Sequence, residues 1–167
     1  MSQTYDASLR HINNSTTREL EEVLHSLEIQ KKTTFELEIN CAGGDIIEGI
    51  KMMRIIEKSP LHVRATVVNE AGSTAAVILQ CCDTRRMMGN ATLHYHYGSW
   101  RVSFMVYYDK KLLERNRQRA MQYQGQLITP IIRRSGMSKK RVHELLRADK
   151  KISAEESLSL SLIDEII

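Results

Sequence analysis

Twice in succession the chain runs from an alternating apolar–polar stretch into a turn of small residues and then into a helical pattern. The first unit is TFELEI at 34–39, then Asn40-Cys41-Ala42-Gly43-Gly44, then DIIEGIKMMRIIEK. The second is Leu61 to Val68, a turn through Ala71, Gly72 and Ser73, and then TAAVILQCC. Period-two alternation is the mark of a strand with one face buried. Asp45 at the start and Lys58 at the end of the first helical pattern match the helix dipole. TAAVILQCC is apolar on every side, which predicts a buried helix. Strands alternating with helices pack as parallel βαβ units with right-handed crossovers. The expected fold is therefore α/β, a stack of such units. Neighbouring parallel strands bring their small-residue turns together at one end of the sheet.

The rest of the chain fits around that frame. TTRELEEVLHSLE at 16–28 opens in capping-box order and places Leu20, Val23, Leu24 and Leu27 at helical spacing. RRMMGNATLHYH at 85–96 reads as one further strand. A long helix is expected from about Ser103 to Arg134, broken near Gly125 and Pro130. Its middle, ERNRQR, is polar all round and should project as a handle. Phe104, Met105, Tyr107, Tyr108 and Tyr123 flank it, and serve either that projection or the core. The tail reads as a short helix, a loop, a second helix and a final strand. Nothing repeats and no low-complexity linker divides the 167 residues, so residues 1–167 are expected to form a single domain.

Charge and composition narrow the function classes. The net charge is +4, and residues 101–151 hold 14 of the 24 Lys and Arg. The block carries no nucleic-acid motif and reads as a solvated helical face or a surface meeting acidic neighbours, so no nucleic-acid partner is expected. No run reaches the roughly 18–20 apolar residues of a membrane span. The opening MSQTYDASLRHINN has no basic stretch followed by an apolar one, so no secretory signal is expected. The three cysteines have no metal-type spacing, and the adjacent Cys81 and Cys82 cannot bridge each other in the ordinary way. A reducing, cytoplasmic location and no metal site follow as expectations.

Ser73 sits where a strand turns into a buried helix. Its hydroxyl is either a helix cap or a nucleophile awaiting a base. Gly72 and Ala71 let backbone approach a substrate, and the Thr74 N–H opens the helix as the second oxyanion donor of a nucleophile elbow would. The local sequence is not the GxSxG of that motif, and the cap is the commoner role. Gly43 and Gly44 occupy the equivalent turn one unit earlier and leave bare amides beside Ser73, or make a tight turn and nothing more.

Five short motifs stand in one order: NCAGG (40–44), AGSTAA (71–76), NATLHYH (90–96), ADKKISAEES (148–157) and SLIDEI (161–166). Together they resemble the proteolytic subunit of the ATP-dependent Clp protease, a serine peptidase, from about residue 33 to the end. The resemblance implies a crotonase/Clp-protease-like stack of βαβ units with a protruding helical handle. It implies Ser73 as nucleophile, His96 as general base and Asp149 as the orienting acid. Gly44 and Thr74 would supply the oxyanion N–H groups, with Gly43 and Gly72 supporting the turn. His94 lies one strand repeat from His96 on the same face. The family spacing of six residues after Asn selects His96, and His94 becomes a neighbour. Asp83 and Asp109 rival Asp149 but lie outside the tail motif.

The sequence departs from the family in places. Ala42 replaces the turn's proline, Cys41 the serine before it, and Ser161 the glycine of the terminal motif. Tyr97-Gly98-Ser99-Trp100 stands where a glycine-rich, substrate-lining stretch is usual. The family's longer leader and early strand are not expected here.

The activity implied is endopeptidase cleavage of unfolded polypeptides or short peptides inside a ring chamber. The partners implied are further copies in a heptameric ring, two rings stacked as a tetradecamer, and an AAA+ unfoldase. The chain itself needs no cofactor, ATP acting through the unfoldase. The alternatives are a catalytically silent structural subunit of such a ring and a phage-type capsid maturation protease. A crotonase-type acyl-CoA enzyme shares the turn but has no use for an aligned Ser-His-Asp set.

Overall fold

The computed structural model describes residues 5–99 and 104–167. Trp100 and the expected helix start at Ser103 lie outside them, as do the side chains of Phe104 and Met105. The element order is β1 (Ala7–Leu9), α1 (Asn14–Ile29), β2 (Thr34–Cys41), α2 (Ile46–Lys58), β3 (His62–Gly72), α3 (Thr74–Leu79), β4 (Thr84–Met87) and β5 (Thr92–His94). It continues through α4 (Phe104–Tyr108), α5 (Lys110–Ser135), α6 (Lys139–Ala148), β6 (Lys151–Ser153), α7 (Ala154–Ser159) and β7 (Glu165–Ile166).

The strands form a 7-stranded sheet in the order β1-β2-β3-β4-β7, with β5 paired to β3 and to β6. Each pair is parallel except β5–β6. This is the expected α/β stack. The alternation of TFELEINC buries Phe35, Leu37, Ile39 and Cys41 on one face. All six residues of α3 are buried, as its all-round apolarity requires. Asp45 caps α2, its carboxylate accepting from the amides of Ile47 and Glu48.

Five expectations need correction. A strand does precede α1: β1 lies parallel to β2, with Ser8 opposite Glu38. Three residues are too few for a periodicity to show. The capping box of α1 is built by Asn13 and Thr16, one turn before the expected Thr16–Glu19 pair. The stretch 85–96 is two strands: β4 pairs with Arg64–Val67 of β3, and β5 pairs further along with Glu70–Gly72. β3 is 11 residues long, so one long strand carries two short ones end to end. The long helix breaks at Asp109, whose carboxylate caps α5, and then runs unbroken through Gly125 and Pro130. The loop expected between α6 and α7 contains β6.

The first half of α5 is exposed nearly all round. Its second half docks through Leu127, Ile128, Pro130 and Ile131. Tyr107, Tyr108 and Met121 are exposed, whereas Tyr123 packs partly buried against the core. No helix of the described residues is long and apolar enough to cross a membrane.

Candidate active site

β3 ends at Gly72, and the next residue, Ser73, takes φ 50° and ψ −123°. A non-glycine residue held there stores strain on the order of 1–3 kcal/mol. The surroundings impose it: the Ser73 amide donates to His94 O at 2.7 Å, and Ser73 O accepts from the amide of Val77 at 3.3 Å. The hydroxyl caps nothing in α3. The turn therefore presents an uncommitted side-chain oxygen.

The Gly43–Gly44 turn presses on this one backbone to backbone. Gly43 takes φ +119°, and a Cβ there would stand 2.8 Å from Ser73 Cβ and 3.0 Å from Gly72 O. A Cβ on Gly72 would stand 2.6 Å from Ala42 O. Cys41, nearly fully buried, braces the same turn: its Sγ lies 3.3 Å from Gly43 O and accepts from the Gly43 amide at 3.4 Å. Burial pushes the Cys41 thiol up, against the lowering hydrogen bond from Gly43, so it remains a thiol. Gly44 pairs with Ile12, and the Asp45 amide donates to Ile12 O at 3.0 Å. The Thr74 amide opens α3, in whose first turn N–H groups have no intrahelical acceptor.

β5 delivers the histidines. Its parallel register sets His94, its last residue, opposite Gly72, and His96 follows two residues on, on the same side. Their rings stack at 5.0 Å with an interplanar angle of 26°. Tyr95 points the other way and is fully buried. Its hydroxyl donates to Ala76 O at 3.1 Å and accepts from Gln80 Nε2 at 2.9 Å. Gln80 Oε1 accepts in turn from Arg85 at 2.7 Å, and Arg85 is paired with Asp164. This buried chain anchors the backbone that carries both imidazoles.

Ser73 and His96 line one cleft of about 300 Å³, together with Gly44, Asp45, Gly98 and Ser99. Both also border a hollow of about 20 Å³ walled by Thr74, Val77, Ile128 and Ile131. His96 Nδ1 lies 2.9 Å from Tyr97 O. A carbonyl only accepts, so Nδ1 carries the proton and Nε2 is left with the lone pair a base needs.

Asp149 does not reach His96. It ends α6 in the left-handed conformation, φ 47° and ψ 43°, and its Oδ1 accepts from His94 Nε2 at 2.7 Å. Its rivals are committed elsewhere. Asp83 accepts from the Val63 amide at 2.8 Å, and Asp109 caps α5. The structure thus gathers Ser73, His96, Gly43, Gly44, Gly72 and Thr74, and places Asp149 one imidazole away. Among the described residues no group of three or more His, Cys, Asp or Glu is placed to hold a metal.

A model of the Clp protease family matches residues 7–167. The chain belongs to the Clp protease family. It is accordingly a member of a peptidase family, and the match reaches back through α1 and β1, well before residue 33. No curated protein matches the chain.

Sequence reasoning missed four contributors: His94 as the partner of Asp149, the Tyr95–Gln80–Arg85 anchor, the Cys41 brace and the Tyr97 carbonyl. Only the HYH triplet carried a signal, since alternation alone predicts two stacked imidazoles with a buried ring between them.

Proposed function

We propose that the chain is a serine endopeptidase that cleaves unfolded polypeptides or short peptides within a ring of copies of itself. Ser73 Oγ attacks the scissile carbonyl while His96 Nε2 takes its proton. The carbonyl oxygen becomes an oxyanion facing the Gly44 and Thr74 amides. The C–N bond then breaks, and His96 returns the proton to the leaving amine. Water repeats the sequence on the acyl-enzyme: His96 accepts its proton, and the ester gives back Ser73 and a free carboxylate. Asp149, held by His94 in this structure, orients His96 and stabilises its imidazolium only after turning to it.

The observation that carries this reading is Ser73 itself. Its hydroxyl is held at a strained strand-to-helix turn, caps nothing, and shares a cleft with His96 against a glycine turn. Exposed Tyr107, Tyr108, Leu112, Leu113 and Met121 on α4 and α5 supply apolar surface for contacts between copies, which supports the ring and its stacking. An AAA+ unfoldase feeding that ring is the partner we infer from the family. The three cysteines are all unbridged, which supports a reducing, cytoplasmic setting.

A serine-directed covalent probe tests the reading. Labelling at Ser73 of the native particle, absent in Ser73→Ala, is the expected result, together with cleavage of a short acylated peptide. One observation favours a second reading, a catalytically silent structural subunit: the Asp149 carboxylate sits on His94 and not on His96. An assembled particle that takes up no probe, either as wild type or with His94 replaced, would establish that alternative.

A further inference from the structure

One carboxylate lies beside two stacked imidazoles and bonds one of them, and the strand register bears on which. β5 and β6 pair Thr92 with Ser153, Leu93 with Ile152 and His94 with Lys151. Two more steps of the same antiparallel ladder would set His96 opposite Asp149. The ladder stops short of that pair because Asp149 turns left-handed as the cap of α6. Its side chain then meets His94, the diagonal neighbour on the same face, through the 2.7 Å bond to Nε2. His96 meanwhile satisfies its Nδ1 on Tyr97 O.

We propose that His94 is a positioning residue that withholds Asp149 from His96, so that this conformation is a latent form of the site. The rings are stacked 5.0 Å apart, so the carboxylate on one imidazole lies beside the other. The Asp149 side chain is 63% exposed, which leaves it room to turn and makes its hold on His94 weak. The swap breaks one N–H···O bond at His94 and one at Tyr97 O, and forms one between His96 Nδ1 and Asp149. The active state is then a matter of which imidazole holds the carboxylate, and anything that shifts the α6–β6 turn shifts that balance. This inference rests on the serine-peptidase reading and names the regulation of the same site.

The test uses the full chain in its native assembly, with thermal melting and native mass confirming that each variant is intact. His94→Phe keeps a ring stacked on His96 but has no donor for Asp149. Its expected result is a rise in kcat, and in the rate of probe labelling at Ser73, of roughly two- to fivefold with KM unchanged; that is the factor by which losing an exposed pair moves a two-state balance. His94→Gln, whose amide can still hold the carboxylate, should gain less. The gain of His94→Phe should vanish when Asp149→Asn is added. Labelling of wild type at Ser73 with no gain in His94→Phe, or a loss of kcat there matching Asp149→Asn, overturns the proposal and leaves the peptidase reading standing. Absence of labelling in both wild type and His94→Phe overturns the peptidase reading and this inference with it.

Discussion

Gly72→Ala tests whether the site is built by backbone contact between two turns. The new Cβ would lie 2.6 Å from Ala42 O, 3.0 Å from Ala42 C and 3.2 Å from Ala42 Cα. Ordinary contact begins near 3.4 Å, so the turns must part by roughly 0.8 Å along that line. All three obstructing atoms are main chain, so no side chain can swing aside. Overpacking of this kind typically costs about 1–3 kcal/mol of stability, which a domain of ordinary stability survives. The larger effect falls on geometry, because the 40–44 turn carries the amide proposed as an oxyanion donor and β3 leads directly into Ser73. A misplacement approaching 1 Å costs on the order of 10²-fold in rate. The expected outcome is a folded protein, slightly lower in Tm, with kcat/KM for a short peptide and probe labelling both down about a hundredfold. Gly125→Ala is the control. A Cβ there meets nothing within 4 Å, inside α5, so it should stabilise by about 0.5–1 kcal/mol. Gly72→Ala with near wild-type labelling would refute the backbone-contact account of the site.

Three further outcomes follow from named strain and charge. Ser73→Gly should be more stable than Ser73→Ala by roughly 1–2 kcal/mol in chemical denaturation, because only glycine relieves φ 50° and ψ −123°; equal stabilities would remove the strain. Ser161 also sits at positive φ, 55°, at the position where the family's glycine was expected, so Ser161→Gly should raise stability by about 1 kcal/mol. Burial raises the Asp164 carboxyl, but hydrogen bonds and charge from Arg85, with the charge of Arg134, outweigh it and leave its pKa below the usual range. Its stabilisation is therefore fully present above the unfolded pKa near ~4 and is lost as pH falls through the lower native value. Asp164→Asn should cost roughly 1–3 kcal/mol at neutral pH, less than a fully buried pair because Asp164 is 38% exposed. The wild-type advantage in urea midpoints should close below about pH 4; an advantage that persisted in acid would assign it to packing rather than charge.

The legible parts of the fold are those that periodicity writes over many residues. TFELEINC and HVRATVV announce half-buried strands, and TAAVIL announces a helix buried on all sides; their turns then had to meet. What was illegible has physical reasons. β1 and β6 have three residues each and borrow their order from neighbours. The division of 85–96 into β4 and β5 depends on the length of β3, a property of the partner and not of the stretch itself. The break at Asp109 follows from a cap outcompeting continued helix, whereas Pro130, the residue that should break a helix, lies inside one because its face is buried against the core.

The same distinction separates the parts of the candidate site. Ser73, Gly43, Gly44, Gly72 and Thr74 are placed by main chain, and main-chain placement follows from strand order and turn chemistry. The choice of His94 or His96 as the partner of Asp149 is a side-chain event between two imidazoles of equal reach. Alternation puts both on one face and so cannot choose between them. An antiparallel ladder would choose His96, and one left-handed residue at its end cancels that choice. The proposed catalytic framework is therefore fixed where backbone makes it, and adjustable at the one exposed carboxylate, Asp149.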